Sequence, residues 1–265
     1  MTTLNAIDNP DLINQAIKDL SKEEVKPVVA TSLPDTYVTL PGGYITQRGE
    51  VVTKAEVREL NGIDEEIIAK SSGVGQLLSA VLRRGTVSIG DVPVTPEMLD
   101  NLLSGDRDML LLAIRAATFG KEVGLRVTCQ SCSDQHDVSV DLFEDVSVSY
   151  LENPLDRSFE VDCKAGRVSA SLPTGVTQRK VLDALDKSGA EINTMLLFGC
   201  VSSINDDPVL SAEDVRKLSI RDREKITEEI SKRIPGPKLN DVSMNCPSCE
   251  EEMAMPLSMM SLFRF

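Results

Sequence analysis

Two Cys-x-x-Cys pairs, Cys129–Cys132 and Cys246–Cys249, constrain this chain more than any other feature. Each follows and precedes a stretch of alternating apolar residues, LRVTCQSCSDQHDVSVDL and VSMNCPSCEEEMAMPL. Alternation of period two predicts strands, so each pair sits on a turn between two strands. Two intervening residues let both sulfurs face one ion at about 2.3 Å. Two such turns supply four thiolates, which close a tetrahedral sphere and leave no position for water. Cys129, Cys132, Cys246 and Cys249 are therefore the expected ligands of a structural Zn2+ resembling that of a zinc ribbon. In small zinc peptides such a site is worth on the order of 10–16 kcal/mol. That rivals the net stability of a whole domain, ~5–15 kcal/mol.

Other readings of these residues stay open. They could be buried thiols, or a dithiol redox pair. Redox pairs sit at helix N-termini, whereas strands follow both pairs here. His136, the single histidine, lies four residues after Cys132 and either replaces a sulfur or rests on the hairpin surface. Cys163 and Cys200 have no partner at ligand spacing and read as small core residues.

Composition narrows the function classes. The net charge is −14 and aromatic residues make up 3%, with no tryptophan. A field of that sign repels phosphate backbones, and stacking platforms are scarce. Asp134, Asp137, Glu250, Glu251 and Glu252 flank the cysteine turns. A zinc-ribbon nucleic-acid-binding protein remains the alternative reading, but it needs a basic surface there. No stretch approaches the ~18–20 apolar residues of a membrane span. The beginning of the chain lacks the basic-then-apolar pattern of a secretion signal. A reducing cytosol then favours metal over disulfide for the four cysteines. No nucleophile turn, phosphate loop, dinucleotide glycine pattern or calcium loop occurs. We read the chain as no enzyme, with no small-molecule substrate.

The expected fold class is α+β, with a mainly helical body of two diverged repeats. One begins near Val74 and the other near Ile192, and each ends in a β-hairpin knuckle. Ile89 and Pro93 match Ile204 and Pro208, Asp106-Arg107 matches Asp222-Arg223, and the cysteines match at an offset of 117. Four segments follow: 1–72, an N-terminal helix and extended β arm; 73–150, the first repeat; 151–176, a β connector; 177–265, the second repeat and C-terminal tail. The helix of the first segment starts at Asn9-Pro10 and ends near Lys26-Pro27. Its arm turns at Gly42-Gly43, and Asp64-Glu65-Glu66 opens a short helix. Thr95-Pro96 caps another helix, and Met109 to Phe119 forms a third. Ser211 with Asp214, and Ser219 with Asp222, read as capping boxes. Asp106-Arg107-Asp108 and Asp222-Arg223-Glu224 read as helix-start and surface charges. The arginines could also pair with the other copy or a partner.

The order of these motifs resembles a known family. It runs through Leu102-Leu103-Ser104-Gly105-Asp106-Arg107-Asp108, LLLAIRAATFG, the first cysteine pair, Leu172-Pro173-Thr174-Gly175, IRDRE and CPSCEEEMAMPLSMMSLF. Over residues 75–265 the chain resembles the baseplate hub assembly proteins of contractile-tailed bacteriophages and their relatives in other long-tailed phages. It departs from the pattern where a glycine often follows the second cysteine: Ser133 and Glu250 stand there. The resemblance implies a builder of the tail tip or baseplate, as chaperone or as permanent part, without catalysis. It implies other tail and baseplate proteins as partners. It also implies a place in the virion tail or baseplate, after assembly in the host cytoplasm.

Overall fold

A computed structural model describes residues 36–255 and 257–263. The helix expected between Asn9 and Lys26 lies outside the described residues. Strands β1 (Tyr37–Ile45) and β2 (Val51–Val57) pair antiparallel, and their alternate residues Val38, Leu40, Ala55 and Val57 are buried. The turn between them spans Thr46 to Glu50, closed by two bonds between Thr46 and Gly49–Glu50. Gly42-Gly43 is therefore not the turn. Both glycines lie inside β1, at a break in register between Thr39 and Tyr44. Gly43 has φ 72°, which glycine adopts without strain.

Helix α1 (Gly62–Ile68) is capped by Asn61, with Asp64 returning a bond to the Asn61 amide. Asp64 is fully buried and takes two bonds from Arg58, at 2.8 and 3.0 Å, and one from Arg84 at 2.5 Å. Burial pushes its carboxyl up, but the bonds from Arg58, the Asn61 amide and Arg84 outweigh that and hold it at about 2. Helix α2 (Val74–Gly85) buries Leu78, Val81 and Leu82 on one face. It runs into β3 (Thr86–Ile89) and β4 (Val92–Pro93), which turn over Gly90. The first sheet has the order β1-β2-β3-β4. Residues 37–57, expected as part of an arm, form its outer half.

Helix α3 (Pro96–Asn101) starts at Thr95, whose side chain accepts the Met98 amide. Helix α4 (Ser104–Phe119) begins five residues earlier than its apolar stripe at Met109 indicated, because its first turn is buried too. It leads to the hairpin of β5 (Glu122–Thr128) and β6 (Gln135–Asp141). Strand β7 (Val148–Ser149) follows, then β8 (Ser158–Cys163) and β9 (Gly166–Ser171), which turn at Ala165-Gly166 as their alternation indicates.

The second half then repeats the order of elements. Helices α5 (Gly175–Leu182) and α6 (Gly189–Cys200) lead to β10 (Val201–Ile204) and β11 (Asp207–Pro208). These complete a second sheet of order β11-β10-β9-β8. Helices α7 (Ala212–Arg216) and α8 (Ile220–Arg233) follow. Strand β12 (Gly236–Pro237) pairs with β7, and a 3-10 turn spans Leu239–Asp241. The hairpin of β13 (Ser243–Asn245) and β14 (Glu252–Ala254) and helix α9 (Met259–Leu262) end the described chain. The body is thus mixed helix and sheet. The turns expected between the first helices of each half are hairpins, β3–β4 and β10–β11.

Two aliphatic cores result. One holds Leu40, Val81, Leu110 and Ile114 together with Cys246, Met253, Leu262 and Phe263 from the end of the chain. The other holds Val168, Leu197, Val215, Ile226 and Ile230. The final hairpin, continuous in sequence with the second half, packs on the core of the first.

The Asp-Arg pairs are not surface charges. Arg107 is 1% exposed and Asp106 fully buried. Asp106 accepts the amides of Gly42 and Gly43, at 2.6 and 3.2 Å, and so holds the bulge in β1. Arg107 donates to the Leu99 carbonyl at 2.9 Å and the Ser79 hydroxyl at 3.0 Å. In the second half, Asp222 accepts the Lys164 amide at 2.9 Å. Arg223 donates to the Val215 carbonyl at 3.3 Å and the Thr194 hydroxyl at 2.8 Å. Each arginine reaches the carbonyl eight residues before it and a hydroxyl on the preceding long helix. Ser211 and Asp214 form the expected capping box. At Ser219 only half of one forms: its side chain accepts the Asp222 amide, while the Asp222 carboxylate turns to Lys164.

Candidate metal centre

Each cysteine pair is set by one local device. The Cys129 amide bonds the Asp134 carbonyl and the Ser133 amide bonds the Cys129 carbonyl, at 2.9 and 3.0 Å. The Cys246 amide bonds the Glu251 carbonyl and the Glu250 amide the Cys246 carbonyl, both at 2.8 Å. The flanking strands pair in the same frame, Thr128 with Gln135 and Asn245 with Glu252. Ser133 and Glu250 take φ of 65° and 62° to close the two turns. Those are the positions where a glycine is missing, and both residues adopt the backbone that glycine favours.

The two turns face each other. Cys129 Sγ lies 3.6 Å from Cys249 Sγ, and Cys132 Sγ lies 3.7 Å from Cys246 Sγ. All four sulfurs lie within 4.8 Å of one another. Tetrahedral ligands at about 2.3 Å from a metal stand about 3.8 Å apart. The cluster therefore has the size and the donor set to hold a metal ion with all four expected cysteines. Cys129 and Cys246 are buried, Cys132 and Cys249 partly so.

The sulfurs are electrostatically unequal. The Cys132 and Ser131 amides point at Cys129 and pull its thiol down to about 7. The Asp134 amide favours the Cys132 thiolate as well, but burial and the other sulfurs outweigh it and push that thiol up. Four sulfurs this close cannot all ionise without a cation between them.

His136 is not on the open hairpin surface. Half-buried opposite Val127, its Nε2 lies 3.3 Å from Cys246 Sγ. It stands behind the four sulfurs as a hydrogen-bonding neighbour of one of them. Sequence spacing pointed to His136 but not to this role, since the contact spans 110 residues. Cys132, Asp134 and His136 also lie within ligand distance of one another, on the exposed side. Cys163 and Cys200 lie elsewhere. Cys200 is in the second core, where burial pushes its thiol up to about 12, and Cys163 packs at that core's edge.

In this mixed helix-and-sheet body, four sulfurs from the two cysteine turns converge within metal-binding distance. The sequence matches the T4 bacteriophage base plate protein family over residues 52–264, and the chain belongs to that family. The family is one of structural baseplate proteins, which implies other phage proteins as partners and points to the virion tail. Neither a curated protein nor a solved structure shows a match. Among the described residues, no helix is long and apolar enough to cross a membrane.

Proposed function

We propose that this protein is a non-enzymatic structural or assembly component of a phage tail baseplate, at its hub, and acts through protein–protein contacts. The observation that carries this reading is the family match, which takes in both cysteine turns and all of the described halves from residue 52 to Phe263. The four-sulfur cluster supports a structural Zn2+ as the fastener. Zinc suits four thiolates in a closed tetrahedral set and brings no redox chemistry.

We also infer that the two halves are diverged copies of one unit. Arg107 and Arg223 bind matching acceptors, and the two cysteine turns share one hydrogen-bond pattern. This unit is longer than the motifs alone indicate, because β1–β2 and β8–β9 hold the same place in the two sheets.

Deleting the gene and examining the particles tests the function. Loss of baseplates or of complete tails is the expected result. Normal, infectious tails without the protein would overturn the reading. Quantitative mass spectrometry of purified particles then separates a permanent part, present at fixed ratio, from an assembly factor that leaves.

A further inference from the structure

The two halves meet through a contact with two unlike sides, and each half carries both sides. Helix α5 of the second half lies on α2, α3 and α4 of the first. Polar contacts fix it, among them a bond from Gln178 Nε2 to Asp108 at 2.6 Å. Gln178 Oε1 accepts from Arg107 Nε at 2.8 Å. Arg179 donates to Asp100 at 2.7 Å. Asp183 accepts the amides of Gly75 and Gln76, at 2.8 and 3.2 Å. Gly175 opens the helix where a Cβ would stand 2.6 Å from Arg107 Nη1 and the Leu99 carbonyl.

In the first half, α1 holds the place of α5. Asp64 bonds Arg84 near the end of α2, and Thr177 bonds the Gly199 carbonyl near the end of α6. Counting from that pair, Gly62, Glu65, Glu66 and Lys70 stand where Gly175, Gln178, Arg179 and Asp183 stand. All four are exposed, and a Cβ on Gly62 would meet nothing within 4 Å. On the second half, Arg223 stands where Arg107 does, Arg216 where Asp100 does, and Glu191 where Gln76 does. Arg216 is exposed; among the described residues its one ion pair is with its neighbour Glu213, and its charge also acts on Glu191. Among the described residues, no acceptor meets Arg223 Nε, the atom whose counterpart on Arg107 binds Gln178.

The charges on these two free sides match each other. Where Arg179 meets Asp100 inside the chain, the free sides offer Glu66 and Arg216. Both signs are reversed, and the pair stays complementary. Glu65 takes the place opposite Arg223; Lys70 stands where Asp183 does and does not reproduce its bonds from the two backbone amides. We propose that α1 of one copy docks on α6, α7 and α8 of a second copy of this chain, repeating between chains the contact that α5 makes within one. Such an interface is head-to-tail, so it builds a ring or a row. The proposal rests on the reading that the protein works through protein contacts, and names one such partner.

Sedimentation velocity of the full chain over a concentration series tests it. The wild type self-associates, and added salt weakens the association. E66R alone and R216E alone each lose it, because like charges then face each other. Mixing the two variants restores it, because every contact in an alternating assembly is again of opposite sign. Both side chains are exposed, so circular dichroism melts of the variants coincide with the wild type and exclude unfolding as the cause. A wild type that stays monomeric throughout overturns the proposal. So do variants that assemble like the wild type, and so does a mixture that stays apart. If R216E instead impairs incorporation into particles while the wild type is monomeric, this face binds a different protein. The self-contact then fails, while the baseplate reading stands on the deletion result.

Discussion

Arg107, buried in the first half, donates its Nε–H to the amide oxygen of Gln178 in the second at 2.8 Å. Its other donors hold Leu99 and Ser79 within its own half. One guanidinium therefore ties together the end of α3, the middle of α2 and the seam between halves. An arginine can do this because its donors form a rigid planar fork.

Replacing Arg107 by leucine leaves those three acceptors unsatisfied. We expect a loss of about 3–5 kcal/mol in chemical denaturation. Arg107→Lys keeps the charge without the fork and falls between. Gln178→Ala costs less, about 1–2 kcal/mol, since it breaks the seam alone. A leucine variant within about 1 kcal/mol of wild type would show that these bonds carry no net stability.

Protein purified under reducing conditions should carry one zinc per chain, measured by elemental analysis. With metal bound, thiol reagents should reach Cys163 first, since Cys200 is buried in the second core. A strong chelator should release the other four sulfurs and lower the melting temperature by about 10 °C or more. In a domain of this size 1 kcal/mol is worth about 2–4 °C. Folded, metal-free protein with an unchanged melt contradicts the zinc assignment.

The turns at Ser133 and Glu250 hold side chains in left-handed backbone, at φ 65° and 62°. Ser133→Gly and Glu250→Gly should each raise stability by about 0.5–1 kcal/mol. The effects should add, because the two turns are separate strained sites. Thermal melts of the metal-loaded protein measure this, and a destabilised glycine variant counts against strain at that turn.

Burial pushes the Asp106 carboxyl up to about 6, against the amides of Gly42 and Gly43 and the charge of Arg157. Burial also pushes Asp108 up to about 6, against its bond from Gln178 and the charge of Arg107. An acid raised on folding binds its proton more tightly in the folded chain. Its contribution is full below the ordinary value of 3.8 and is lost as pH rises through 6. The unfolding free energy should therefore decline between about pH 4 and pH 6, the interval between the ordinary and the raised values. Asp106→Asn removes one of the two ionisations and should flatten that decline. Urea titrations at stepped pH give both slopes, and equal slopes would exclude Asp106 as a source.

What was legible in the sequence was local. Spacing identified the four cysteines, and cap chemistry placed Thr95-Pro96 and Ser211-Asp214 at helix starts. What was hidden depends on distant partners. Gly42-Gly43 reads as a turn until Asp106, 64 residues away, takes both amides and makes a bulge of them. Arg107 reads as a surface charge because its hydrogen-bond acceptors, a carbonyl, a hydroxyl and the amide of Gln178, are neutral groups that no charge pattern in the sequence reveals. Strands β1–β2 read as an arm because β3, their pairing partner, lies beyond two helices. The offsets between the two halves were visible, but nothing in them assigned the β1–β2 and β8–β9 hairpins to the proposed unit.

The final hairpin packs on the first core, and Cys249 lies 120 residues beyond its neighbour Cys129. During synthesis the first turn therefore waits with half of the proposed ligand set until Cys249, 120 residues beyond Cys129, has been made. A chain that stops early cannot close the cluster, however well its first half has folded. Closure in this sense reports that synthesis has passed Cys249.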